Sequence, residues 1–320
     1  MTERRVRSWM AVAALAGAVS LAPAAAGAQA MFDREKTPRQ PRAESWVAEK
    51  ANRLPLDPAR TPWGEPDLRG TYVAEGVSSD NVESISEWLD HATPPTETFL
   101  IDPPDGKVPY QPWALAERNR FRAGLSRGWP GEDGSRVHMD PQTFCFTGIP
   151  RMAWRGNFQI LQTPGYVFIN LEWGHSYRVI PTDNRPNDLS ESTRLWLGHS
   201  RGRWEGNTLV VEVTNLNGKQ WLDSYANFYS KDARITERYT LIRTKKPGGG
   251  ERTAIDWTVT IDDPGVYTRP WTMNLPLTRR APQELWEHAC HEGNEHHIEG
   301  AKQLNFQWFR GVVPPVSSNR

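Results

Sequence analysis

The sequence is poor in cysteine and has no excess of either charge. Two cysteines in 320 residues allow one disulfide at most. Thirty-eight basic residues meet thirty-eight acidic ones, and no long basic run breaks that balance. The electrostatic footprint of a nucleic-acid or acidic-membrane binder is therefore missing. Beyond the first thirty residues no apolar stretch approaches the roughly 18 residues needed to span a bilayer. Phosphate-loop, dinucleotide and metalloprotease signatures are absent, as is the G-x-S-x-G of a hydrolase elbow. What is present is aromatic: fifteen tryptophans and 10% aromatics overall, far too much apolar area for a disordered chain. Twenty-six prolines and twenty-five glycines argue against a helical bundle.

The first thirty residues read as an export signal. Arg4, Arg5 and Arg7 precede an apolar stretch from Trp9 to Leu21, and small residues end in Ala28-Gln29-Ala30. Gly17, Ser20 and Pro23 argue for cleavage over a membrane anchor, and a Sec-type signal is expected rather than a twin-arginine one. The mature protein is thus expected in the periplasm or outside the cell, with no membrane attachment after cleavage. Cleavage removes three arginines and one glutamate, leaving 35 basic and 37 acidic residues. In an oxidising compartment the lone pair Cys145 and Cys290 is expected to be bridged; the alternative is two buried thiols.

Residues 31–62 are polar and proline-punctuated, an extended arm or linker. A single domain is expected over 63–320, its core beginning near Leu68-Arg69-Gly70-Thr71-Tyr72-Val73. From about 78 to 150 the chain is loop-rich, a cap with one helix from Pro112 to Arg122 on which Trp113, Leu115, Ala116 and Phe121 fall roughly on one side. After Pro150, strand-like runs recur at 158–162, 166–172, 176–180, 194–197, 208–214, 234–242, 254–261, 270–277 and 284–290. Alternation is clear in Val167, Ile169 and Leu171, and again in Trp257, Val259 and Ile261. Sequential strands without crossover helices exclude a parallel sheet. The expectation is a mainly β fold, an antiparallel lipocalin-like (calycin-type) barrel with a loop-rich N-terminal cap and few short helices.

Four motifs carry a resemblance: RTPWGEPDLRGTY from Arg60, RGRWEGNTLVVEVTN from Arg201, TIDDPGVYTRPWT from Thr260 and CHEGN at Cys290 to Asn294. In this order, over about 60–302, they resemble a largely uncharacterised family of exported proteins of acidobacteria and proteobacteria. The resemblance implies export and a β-rich fold. It also suggests cofactor-free lyase chemistry on lignin-derived aromatic acids, and no residue roles are carried over from it. The family pattern has Asp after Leu197-Gly198 and His after Arg185-Pro186; this chain has His199 and Asn187 there.

Alternation places Glu237 on the apolar face with Ile235, Tyr239 and Leu241. A carboxylate there is either a working acid or base or half of a structural ion pair. Glu172, His175 and Arg178 bracket one hairpin, a carboxylate, imidazole and guanidinium suited to holding an anion and moving a proton. Arg269, beside Pro270-Trp271, is a second candidate carboxylate clamp. His288, His291, His296 and His297 are interleaved with glutamates, but their spacing is no standard zinc pattern; no metal and no cofactor is expected, and the readings that stand are a proton-transfer role for His291 or Glu292 and a polar strand end. Tryptophans in turn-like contexts, Trp63, Trp129, Trp154, Trp173, Trp204 and Trp271, are candidate ligand platforms or plugs of the barrel end.

These readings point to an exported, cofactor-independent lyase or decarboxylase acting on a small aromatic or hydrophobic acid. In it Glu237, His175, His291 and Glu172 do the catalysis, while Arg178, Arg269, Trp173, Trp204 and Trp271 bind the substrate. Two alternatives stand beside it. One is a non-catalytic carrier of such a ligand. The other is a carbohydrate binder or hydrolase, for which only Glu237 with Glu172 offers paired carboxylates. Nothing in the sequence specifies an oligomeric state.

Overall fold

Strand alternation read from the sequence is what organises the interior. In the computed structural model, described over residues 53–74, 81–83, 98–126, 138–154, 156–245, 249–295, 299 and 307–315, Ile235, Glu237, Tyr239 and Leu241 point inward from one strand and Trp257, Val259 and Ile261 from the next. The export signal, residues 31–52 of the arm, Trp129, His296 and His297 lie outside the described residues, as does the Trp154 side chain. The described residues all belong to one unit, 42–320.

In chain order the elements are β1 (Arg53–Pro55), β2 (Gly70–Val73), β3 (Leu100–Asp102), helix α1 (Pro112–Ala123), β4 (Leu125–Ser126), β5 (His138–Met139), β6 (Phe158–Thr163), β7 (Tyr166–Leu171), β8 (Tyr177–Pro181), β9 (His199–Glu205), β10 (Thr208–Thr214), β11 (Arg234–Lys245), β12 (Glu251–Asp262), β13 (Trp271–Arg279) and β14 (Gln307–Trp308). The main sheet runs β8-β7-β6-β2-β13-β12-β11-β10-β9, every neighbouring pair antiparallel, with β1 added to β11 and β3 to β13. It curls into a nearly closed, lipocalin-like barrel. The β6–β7 hairpin shows the local logic: Pro164-Gly165 supplies the turn, and Gly165 takes φ +76°, a conformation glycine adopts without strain.

Nine strands in alternation have a topological consequence. An odd number leaves the two edge strands, β8 and β9, running the same way. They are joined by a long connection, 182–198, because parallel neighbours cannot share a tight hairpin. They meet through side chains: Arg178 Nη2 donates to Ser200 Oγ at 2.9 Å. Gly202 lies so close to Ile180 that a Cβ there would stand 2.8 Å from its Cγ2.

The same alternation sends β2, β7, β10 and β12 in one direction, so the connections that follow them share one rim. The cap covers that rim. Val82 N donates to Asp223 Oδ2 at 2.9 Å, Tyr229 OH to Ile149 O at 3.1 Å, and Trp113 Nε1 to Gly265 O at 3.1 Å. Phe121 packs among Trp221, Phe228 and Phe309.

Three differences from the expected elements have physical causes. Helix α1 buries Ala114, Arg118 and Phe121 and packs half-buried Trp113 on the core, while Leu115 and Ala116 are exposed, because Arg118 pairs with buried Glu83 at 2.8 Å and turns the helix. Of the arm, Arg53–Pro55 is a strand on β11, fastened by Arg53 to Asp256 and Asn274. The runs at 194–197 and 284–290 are not strands. The strand in the first region is β9, whose inward positions Ser200 and Gly202 are too small to show a hydrophobic alternation. The second is a largely exposed strap with no strand partner.

Candidate functional site

The predicted residues separate into a sealed cluster under the cap and an open groove at its edge. In the sealed cluster Glu237, 0% exposed, faces Arg178 across the barrel. Arg178 Nη2 donates to Glu237 Oε2 at 2.5 Å and Nη1 to Oε1 at 3.0 Å; Tyr239 OH donates to the same Oε1 at 2.6 Å. Arg178 also holds Ser200 on β9, and Met152 Sδ of the cap lies 3.9 Å from Nη1. Burial alone favours a neutral guanidine, but the Glu237 carboxylate outweighs it and holds Arg178 above its ordinary value. Burial and the same carboxylate push the Tyr239 hydroxyl well above a free phenol. All four side chains of the cluster, Arg178, Ser200, Glu237 and Tyr239, are buried. Of the two readings of an inward Glu237, the ion pair is the one this geometry supports; both terminal nitrogens of Arg178 are engaged by protein partners, while its buried Nε has none.

The barrel interior is filled. The void beside the cluster, lined by Met152, Ala153, Phe158, Ile169, Leu171, Tyr239, Trp257 and Leu277, has no room for a water-sized sphere. Trp271 is fully buried against Tyr267, and Trp204 packs on the core. Arg269 is spent on a surface pair, both of its terminal nitrogens donating to Asp102 at 2.9 Å.

The open groove, about 170 Å³, is lined by Cys145, Gly174, His175, His288, Ala289, Cys290, His291 and Glu292. Its floor is the Cys145–Cys290 disulfide, with Cα atoms 5.9 Å apart. Cys145 (φ +66°) and His175 (φ +49°) both hold left-handed backbone, uncommon outside glycine. Gly174 N–H donates to His288 Nδ1 at 3.4 Å, which leaves the ring proton of neutral His288 on Nε2. His288 N–H donates to His175 Nε2 at 3.2 Å, which puts the proton of neutral His175 on Nδ1. The Trp173 ring lies 5.8 Å from that of His288.

Glu172 stands behind the groove as a fastener. Its Oε2 accepts from Asn157 N and Nδ2, both at 3.0 Å, and its Oε1 from Trp286 N at 2.9 Å. Burial works against its charge, but these donors and the nearby His288 outweigh it and hold the carboxyl below the usual range. Among the described residues no three His, Cys, Asp or Glu side chains are arranged to hold a metal ion.

No family model matches this chain, and no curated protein or solved structure matches it significantly. The geometry must speak alone. It brings His175, His291 and Glu292 together, as well as His288, and leaves Glu237 elsewhere. Outside that lining stands Trp286, 76% exposed and two residues before His288, which the sequence does not single out. The signal for both was the Cys145–Cys290 bridge, which draws in whatever stands within a few residues of either cysteine.

Proposed function

We propose that the protein is an exported, cofactor-independent enzyme that moves protons on a small aromatic acid at the groove over the Cys145–Cys290 disulfide. The observation that carries this reading is that three imidazoles, of His175, His288 and His291, line one open groove with the Glu292 carboxylate. Imidazole is the side chain whose charge ordinarily changes between about pH 5 and 8, so one ring can bind a carboxylate as imidazolium while another takes or gives a proton. Trp286 offers an exposed face on which an aromatic ring can stack. The groove is smaller than the roughly 300 to 1,000 Å³ of drug-sized ligand sites, which favours a single-ring acid. Export and kinship with the exported family of acidobacteria and proteobacteria belong to the same proposal, resting on the N-terminal pattern and the four motifs.

A carrier that holds its ligand inside the barrel has less support, because side chains fill that space. A glycosidase using Glu172 and Glu237 has less still, since both carboxylates are already engaged. The test is to incubate the protein with a panel of single-ring carboxylic acids and follow product formation. Turnover that falls in His288→Asn and His175→Gln and survives in Arg269→Gln supports the reading. Turnover indifferent to both histidines refutes it.

A further inference from the structure

After β13 the chain runs from Arg280 to Asn294 as a strap without strand or helix, most of it exposed. It carries His288, Ala289, Cys290, His291 and Glu292, which form one wall of the groove, and Trp286 two residues before them. The other wall, Cys145, Gly174 and His175, belongs to the cap and the β7–β8 turn. Arg280 N donates to Thr71 O at 2.8 Å, and Thr71 Oγ1 to Gln283 O at 3.5 Å. Past that start, the hydrogen bonds that hold the strap to the rest of the described residues go to Glu172, Gly174 and His175. The disulfide adds the covalent tie at the same spot. Both cysteines are partly exposed and line the groove, so an external thiol can reach the bond.

We infer that the Cys145–Cys290 disulfide is a redox latch: an external dithiol opens it, the strap leaves the barrel, and the groove exists only in the oxidised protein. The step balances. The S–S bond of the protein breaks, the dithiol closes to its own disulfide, and two electrons pass to the protein. The two protons that the dithiol gives up end on the Cys145 and Cys290 sulfurs. A handful of hydrogen bonds among exposed groups then has to hold the strap without the tether that kept them at high effective concentration. In its consequence for activity the inference rests on the proposed function; the latch itself does not.

Hydrogen exchange read by mass spectrometry tests it on the folded mature protein, before and after dithiothreitol and again after reoxidation. The Trp286 and His288 amides are expected to lose at least tenfold in protection on reduction and regain it on reoxidation, while β11, β12 and β13 keep theirs. The double variant Cys145→Ser, Cys290→Ser is expected to match the reduced protein. Three results overturn the latch: unchanged strap protection after reduction, equal loss across the barrel strands, or a disulfide that dithiothreitol does not reduce in the native protein. Because the readout uses no substrate, a latch that works in a protein that turns over none of the single-ring acids refutes the proposed function and leaves the latch standing.

Discussion

Removing the Glu237 charge separates a keystone from a catalyst. In Glu237→Gln the Arg178 guanidinium stays in place, fully charged and out of water, opposite a neutral amide. Taking one partner from a buried ion pair costs about 3 to 5 kcal/mol. At about 2 °C per kcal/mol for a domain of this size, the melting temperature should fall by roughly 6 to 10 °C. The loss should extend to the seam, because the same guanidinium holds Ser200 of β9. Arg178→Met should cost about as much, since it leaves Glu237 charged and alone. The double variant Arg178→Met, Glu237→Leu should recover most of the loss, because a well-packed apolar pair of similar volume is often as stable as the ion pair it replaces. Calorimetry on the four proteins closes the cycle. If Glu237→Gln melts within about 2 °C of wild type and yet loses turnover, the keystone argument is wrong and the sealed cluster is the site.

Other perturbations test the remaining parts. Below the ordinary carboxylate range Glu172 should let go of the strap: its folded value is depressed, so its contribution is present above the unfolded value and lost as pH falls through the folded one. Exchange at the Trp286 amide should therefore rise below about pH 4 before the barrel melts, and Glu172→Gln should show the faster exchange already at neutral pH. Gly202→Ala should cost about 1 to 3 kcal/mol in denaturant unfolding by pushing β8 off β9. Asp223→Ala should cost at least about 3 kcal/mol, because Val82, Tyr225 and Asn227 would lose the buried acceptor of their N–H groups. Trp286→Ala should weaken binding of an aromatic acid without a change in melting temperature, since the ring is exposed.

The barrel was legible because a strand's side-chain period is 2 and the interior demands apolar residues at every second position. Val167, Ile169 and Leu171 announced it, and so did the run around Glu237. Where the inward residues are Ser200 and Gly202 the pattern vanished, for a reason that is itself structural: the seam needs small side chains. The site was less legible. Glu237 read as inward, and it is inward; whether such a carboxylate works or is paired depends on Arg178, which reaches it from a strand 59 residues away. His175 and His291 were visible as residue types, but only the disulfide and the strap make them neighbours. Trp271 read as a turn tryptophan at a mouth, whereas the cap closes that rim and turns it into core.

The central claim is that the working surface is the groove over the disulfide and not the barrel interior. Imidazole resonances of the oxidised protein, followed by NMR while benzoate or cinnamate is added, test it most directly. The account predicts saturable shifts of the His175, His288 and His291 rings that disappear when the disulfide is reduced. Shifts confined to interior methyls such as Met152, Met273 and Leu277, with the three histidines unmoved, would contradict it.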